Sequence, residues 1–379
     1  MIGGGIVGLM TAYYAAPLAD SVTVLERTKV GDPATASFAL TRSVRQDYLD
    51  AQYAALAAEA RGLWLDLQAQ AGRRLLVDCG CLNLAKASVT PDISATYGAL
   101  SFEVLSRLGL RREAFDGPQL AARFPQFTAD AGWLDADAGV ADVAVVTSVL
   151  SQALRERGVR IVEGAQPTSI RRAAGSWQVT TQFGPVESDA VVIAAGLGTN
   201  DLLGLLPDCR VRFPLRPDRP SQSKYFIPAE PDRARFTDDV LPVFAYLDVG
   251  IYGHPILPGR TPGVKIGFYH PPDARMVPSS IGSVEDFVAQ CMPELHGAEV
   301  VDVAAESGVD TCFYDLVADD QFVLGPVPGA EGVYTGVGWR GTGYKFAPWA
   351  GLVLAQLATG QGPSSDISRF RPDRFAAAR

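Results

Sequence analysis

The 379-residue sequence predicts an α/β fold in two parts, a discontinuous Rossmann-like domain and an antiparallel-sheet domain inserted into it. Three observations carry this. A glycine-rich turn, Gly3 to Gly8, opens onto a helix and then a strand. A middle section, roughly Val211 to Thr311, is rich in proline and aromatics and holds short β-like runs. From Val333 onward α/β character returns. The length favours two cores over one.

In chain order, Leu9 to Ala16 reads as a helix closed by Pro17, which cannot continue the ladder. Val22 to Leu25 is an apolar run of strand length, followed by Glu26 and Arg27. From Gln52 to Gln70, the positions Tyr53, Leu56, Ala60, Leu63, Trp64 and Leu67 recur at helical steps, and Gly72 is the stop. Leu75 to Leu84 reads as one strand. Val146 to Leu154 presents a helix face that ends at Gly158. Strands follow at Val159–Val162, Trp177–Thr181 and Ala190–Ala194, and in the middle section at Lys224–Ile227, Val243–Leu247 and Val264–Tyr269. The last elements are a strand at Val333–Thr335, a glycine loop to Tyr344, and a helix from about Trp349 to Leu357.

Composition excludes several classes. A net charge of −9 argues against a nucleic-acid partner, because neutralising phosphates needs a basic face. It does not forbid a local basic pocket. Five cysteines (Cys79, Cys81, Cys209, Cys291 and Cys312) are too few and too uneven for a disulfide framework, which points to a reducing, cytoplasmic setting. The apolar opening, Ile2 to Ala16, contains four glycines and is too short to span a bilayer, so no membrane role is expected. No metal site and no interface stripe stand out, and a monomer is expected.

Three motifs carry chemistry. Gly3, Gly5 and Gly8 take the three glycine positions of a dinucleotide fingerprint: a tight turn, close approach to a pyrophosphate, and helix–strand packing. The helix N-terminus then faces the phosphates, and Glu26 stands where a carboxylate can hold ribose hydroxyls, with Arg27 beside it. The alternative is an ordinary glycine turn. Only Met1 and Ile2 precede Gly3, so either the sequence starts late or the first strand is a stub, and a missing central strand should weaken cofactor binding and stability. Second, Asp189 to Asn200 is an apolar strand running into Ala195-Gly196, either a ligand loop or a plain core strand. Third, Gly336 to Phe346 holds four glycines in eleven residues: Gly336, Gly338, Gly341 and Gly343. That is costly unless the backbone must approach something closely. Thr342 and Lys345 lie in the same run, and a surface position is the plain alternative for Lys345.

Taken together, the ordered set T-R-S-V-R (Thr41–Arg45), R-F-P (Arg123–Pro125), P-L-R-P (Pro214–Pro217), V-K-I-G (Val264–Gly267), T-C-F-Y-D-L-V-A-D-D-Q-F (Thr311–Phe322), G-W-R-G-T-G-Y-K-F and D-I-S-R-F-R-P-D-R-F (Asp366–Phe375) resembles the monomeric sarcosine oxidase and N-methyltryptophan oxidase family of flavoproteins. The resemblance runs nearly the whole length. It implies FAD attached through sulfur at Cys312, where a small buried thiol is the plain reading. It implies Lys265 as the cation that activates oxygen, Arg42 and Arg45 at flavin and substrate, and Arg45 with Lys345 on the substrate carboxylate. Tyr252, in G-I-Y-G, matches a pocket tyrosine. Departures are also clear: Tyr269 stands where the family has an active-site histidine, with His270 one later; Thr342 replaces a loop histidine; Trp339 replaces a phenylalanine.

The resulting expectation is a FAD-binding domain of residues 1–75, 139–209 and 317–379, and a substrate domain of 76–138 and 210–316. The expected reaction oxidises the C–N bond of a small secondary or cyclic amino acid, with hydride passing to flavin and electrons to oxygen. A dehydrogenase of the same fold, a NAD-dependent dehydrogenase and a non-catalytic relative are the alternatives.

Overall fold

The computed structural model describes residues 1–218, 223–269, 276–302 and 313–376. The chain forms two compact units. The first comprises Met1–Phe38, Ala144–Arg219 and Cys312–Arg379, and the second Ala39–Val143 and Pro220–Thr311. These bounds differ from the expected ones in four places: residues 39–75 and 139–143 belong to the second unit, and residues 210–219 and 312–316 to the first. Residues 39–75 join the second unit because the strand Thr41–Val44 pairs with Gly139–Asp142, which also pairs with Leu76–Val77. Residues 210–218 join the first because Arg216–Pro217 pairs with Asp315–Leu316.

The first unit is built on a mostly parallel sheet. Thr23–Leu25 pairs parallel with Arg160–Val162. Val191–Ile193 pairs parallel with Val333–Val337, which takes Val323–Pro326 as an antiparallel edge. The short opening segment joins the two halves: Ile2 bridges both Leu25 and Ile193 in parallel. Its N–H donates to the Val192 carbonyl at 2.8 Å, and Gly3 N–H donates to the Leu25 carbonyl at 2.9 Å. One buried isoleucine thus fills the centre of the sheet, packed with Leu25, Val191, Ile193, Val333 and Val337. Helix Ile6–Ala15 follows the glycine turn. It lies against helix Gly343–Ala358, where a Cβ on Gly351 would stand 2.6 Å from Met10 Cβ. That second helix starts six residues before the expected Trp349. Pro348 lies inside it rather than ahead of it, in the second turn, where it removes one donor of the ladder, the i→i−4 bond to Tyr344.

The second unit holds an eight-stranded sheet. Its strands run in the order Glu299–Val301, Ser223–Ile227, Val264–Phe268, Ile251–His254, Val243–Tyr246, Cys81–Ala85, Ala131–Asp135 and Arg112–Asp116. All neighbours are antiparallel except Val243–Tyr246 with Cys81–Ala85. The expected sheet of the middle section is therefore extended by three strands from earlier in the chain. The single strand expected at Leu75–Leu84 is two, Leu76–Val77 and Cys81–Ala85, because Gly80 turns between them with φ 78°. The helix expected at 52–70 spans Ala51–Ala71. Asp50 Oδ1 caps it by accepting from Gln52 N–H at 2.8 Å, and Gly72 closes it in the left-handed region.

Strand alternation gives this sheet two different faces. Leu82, Leu84, Phe226, Phe244, Ile251, Val264 and Ile266 project into one apolar core with Phe287. By the pairing register, the opposite face carries Tyr225, Lys265, Tyr252, His254, Asn83 and Asp135. No helix among the described residues is long and apolar enough to cross a membrane.

Candidate active site

Within the first unit the three glycine motifs meet. Gly3 has φ +108°, and a Cβ there would stand 2.3 Å from the Ala194 carbonyl oxygen. A Cβ on Gly8 would stand 2.0 Å from the Gly3 oxygen, and one on Gly5 would stand 2.8 Å from Ser37 Oγ. The strand ending at Ile193 therefore abuts the fingerprint. Gly196 opens the turn beyond it with φ +54° and open space around it. The helix starts at Ile6 with no side-chain cap from Gly5; Ser37 Oγ instead accepts from Ile6 N–H at 2.9 Å. Glu26 is buried beneath the turn. Its Oε2 accepts from Gly4 N–H at 2.6 Å, and its Oε1 accepts from Thr28 N–H at 2.9 Å and Thr28 Oγ at 3.2 Å. Arg27 points to solvent. Gly4, Glu26, Lys29, Gly31, Thr35, Ser37 and Tyr344 line one cavity over this turn. These residues fit a dinucleotide: a backbone no Cβ could enter, a helix N-terminus, and a carboxylate fixed beside both.

The third motif behaves differently from one end to the other. A Cβ on Gly338 would meet Val317 Cγ2 at 2.3 Å, and Gly338 N–H donates to Asp315 Oδ2 at 2.9 Å. Burial pushes the Asp315 carboxyl up to about 6. Gly343 packs on Trp339, with a Cβ clash at 2.6 Å, and the Trp339 ring lies 5.1 Å from Phe322. Close approach here is thus largely made to the protein's own interior. Gly341 adopts φ +73°, and Thr342 Oγ donates to the Trp339 carbonyl at 2.9 Å. Lys345 is 6% exposed in the first turn of helix Gly343–Ala358. A buried cation at a helix N-terminus opposes the macrodipole, so the two together favour an anion beside them.

In the second unit the segment 41–47 is fastened to the polar face of the sheet at three points. Thr41 Oγ lies 2.8 Å from His254 Nδ1. Asp135 Oδ2 accepts from Gln46 N–H at 2.6 Å, and Asp47 Oδ2 accepts from Asn83 Nδ2 at 2.5 Å. Arg42 and Arg45 ride on this segment. Arg45 is 5% exposed, with Nη1 donating to Asp47 Oδ1 and to the Asp47 carbonyl, each at 2.7 Å. Its carbon Cζ lies 4.8 Å from the Tyr48 ring centre, a cation–π contact. Arg45 Nη2 is buried with no protein acceptor among the described residues. Burial, then the charge of Asp47, pushes Asp135 up to about 7. Lys265, 1% exposed, sits between Tyr225 and His254 in the ladder, and Tyr252 stands with its ring centre 5.6 Å from that of His254.

The structure therefore brings Lys265 and Tyr252 to one face, with the segment carrying Arg42 and Arg45 pinned across it. His270 and Cys312 lie outside the described residues. His254, Asp47, Asn83 and Asp135 were not anticipated. For His254 a signal existed: it follows Tyr252 by two residues, which in a strand means the same face. Among the described residues no group of three His, Cys, Asp or Glu could hold a metal.

A family model for FAD dependent oxidoreductases, DAO, matches residues 1–357. The chain is 28% identical to peroxisomal sarcosine oxidase of Homo sapiens over 392 residues, 99% of this chain and 95% of that protein. It is 26% identical to N-methyl-L-tryptophan oxidase of Yersinia pestis (strain Pestoides F) over 395 residues, covering 99% and 98%. A solved structure of L-proline dehydrogenase from P. horikoshii shares the fold with a TM-score of 0.79 at 18% identity, covering 99% and 96%. With the fingerprint, the buried Glu26 and the sheet all in place, this chain belongs to the DAO family of FAD dependent oxidoreductases.

Proposed function

We propose that the protein oxidises the C–N bond of a small secondary or cyclic amino acid and returns the electrons to oxygen, releasing hydrogen peroxide. The observation that carries the substrate class is Arg45: a buried guanidinium with one edge tied to Asp47 and Nη2 lacking a protein acceptor among the described residues. A buried donor left unsatisfied costs roughly 1–3 kcal/mol, more for a charged group, and a substrate carboxylate would recover it. The full-length relatives whose names specify N-methyl amino acids point the same way.

FAD, when bound, supplies the hydride acceptor, and the protein supplies binding and orientation. Gly3 to Gly8 and the start of helix Ile6–Ala15 would hold the pyrophosphate. Glu26 would take the ribose hydroxyls through Oε2, which has acceptor capacity beyond its bond to Gly4. Covalent attachment at Cys312 belongs to this reading, and acid precipitation tests it: yellow colour should stay with the pellet in the native protein and not in Cys312→Ala. Arg42, Arg45 and Lys265 make the substrate site positive. That disfavours the ammonium form of the substrate and favours the neutral amine that can give up hydride. Lys265 places a cation where oxygen gains charge. Lys345 is read as a second contact to the substrate carboxylate, and His270 as a polar group of the pocket.

The deciding experiment is peroxide release and flavin bleaching across a panel of N-methyl and cyclic amino acids, each paired with its amide. Turnover of the acids and not of the amides is expected. Equal turnover of acid and amide would refute the carboxylate reading, and bleaching without peroxide in air would point to a dehydrogenase.

A further inference from the structure

The polar face of the eight-stranded sheet holds an imidazole that the motifs do not account for. His254 ends the strand Ile251–His254 and lies directly opposite Lys265 in the antiparallel register, with Tyr225 opposite Lys265 on the other side. Directly opposed residues share a face with Cβ atoms about 4.5–5.5 Å apart. Tyr225, Lys265 and His254 therefore form one row across three strands, each of them buried. On its other side His254 Nδ1 meets Thr41 Oγ, a buried bond between residues 213 apart in sequence. Thr41 is followed at once by Arg42. A single imidazole thus stands beside the strand of Lys265 and holds the strand of Arg42.

The groups around it settle its charge. Lys265 faces it across the ladder, Tyr252 stands two residues back, and Tyr225 lies beyond Lys265. On the Thr41 side, opposite Thr41, is Asp142, whose Oδ2 is paired with Arg260 Nε at 3.0 Å, while Arg42 alternates to the other face of its strand. Lys265 is a cation in the same row, and the carboxylate already has a partner. A proton on His254 would add a second positive charge to a buried row, where like charges repel far more than in water.

We propose that His254 is a positioning residue: a neutral imidazole that fixes the arginine strand through Thr41 and flanks Lys265, so that Arg42 and Lys265 keep one register during turnover. This rests on the roles of Lys265 and Arg42 given under Proposed function. The chain has three histidines, and His296 is exposed. In FAD-loaded protein labelled with ring-15N histidine, the His254 signals are those lost in His254→Asn. They should show one neutral tautomer from pH 6 to 8. Lys265→Met, or Lys265→Gln if the first folds poorly, should raise the proton affinity of His254 at least tenfold. Stopped-flow should show His254→Leu slowing flavin reoxidation at least tenfold, with His254→Asn recovering most of the loss, because asparagine can present a polar atom near the Nδ1 position. Thr41→Val and His254→Leu should be non-additive. An imidazole that titrates near its ordinary value regardless of Lys265, an asparagine variant as slow as the leucine, or additive losses would each overturn the proposal. If Lys265→Met reoxidises at the native rate, the oxygen reading of Lys265 fails, while the NMR coupling still decides where His254 stands.

Discussion

Asp135 is a carboxyl whose environment makes a measurable claim. Burial and the neighbouring Asp47 raise it to about 7 in the folded chain, from an ordinary value of 3.8 when unfolded. A group raised on folding contributes stability below its unfolded value and loses it as pH rises through the folded one. Between about pH 4 and 7 the native protein should therefore lose stability, and the melting temperature of Asp135→Asn should fall less over that range. Asp315, raised to about 6, leaves a smaller slope of the same sign in both proteins. A native melting temperature flat from pH 5 to 8 would contradict the assignment. Lys265→Met should slow flavin reoxidation about 100-fold, the scale of one lost electrostatic contact to a developing anion, and change anaerobic reduction less. Lys345 is tested by a double cycle against the substrate carboxylate: the two losses should be coupled, and additivity within about 0.5 kcal/mol would remove Lys345 from that role. The residues legible in the sequence were those inside local motifs. Asp47 and Asn83 were not, because their meaning lies in a bond between residues 36 apart that no spacing announces.

At the scale of elements, the helices and strands were legible where periodicity was strong and capping residues were present. Helix Ala51–Ala71 lies within a residue of expectation at both ends, set by Asp50 and Gly72. The failures came from glycine and proline read too simply. Gly80 breaks a strand that looked continuous, and Pro348 sits inside a helix that seemed to begin after it. Glycines also differ in what they do. Gly62 is exposed in the middle of Ala51–Ala71 with nothing within 4 Å of a Cβ, so Gly62→Ala should stabilise by about 1 kcal/mol, seen as a raised melting temperature. Gly8→Ala would put a methyl 2.0 Å from the Gly3 oxygen and should abolish flavin loading, read as loss of the visible absorbance. A Gly8→Ala protein of native colour would mean the turn is not the cofactor cradle.

For the whole molecule, the two-part architecture and the discontinuous first unit were legible from the return of α/β character near Val333. The bounds were not, since strand pairing between distant segments decides them, as Thr41–Val44 with Gly139–Asp142 shows. The segment that follows, 41–47, has a consequence for how such an enzyme can diversify. Its first half, Thr41–Val44, is held in a backbone ladder by Gly139–Asp142, but to the polar face of the large sheet the segment is fastened by three side-chain bonds, at His254, Asp135 and Asn83. A ladder is indifferent to side-chain identity and can be re-registered only as a unit. Side-chain fastenings can be exchanged one codon at a time. A lineage could therefore re-aim Arg45, which lies just beyond the ladder, toward a new amino acid by point substitution on the sheet, leaving the apolar face and the stability it carries untouched.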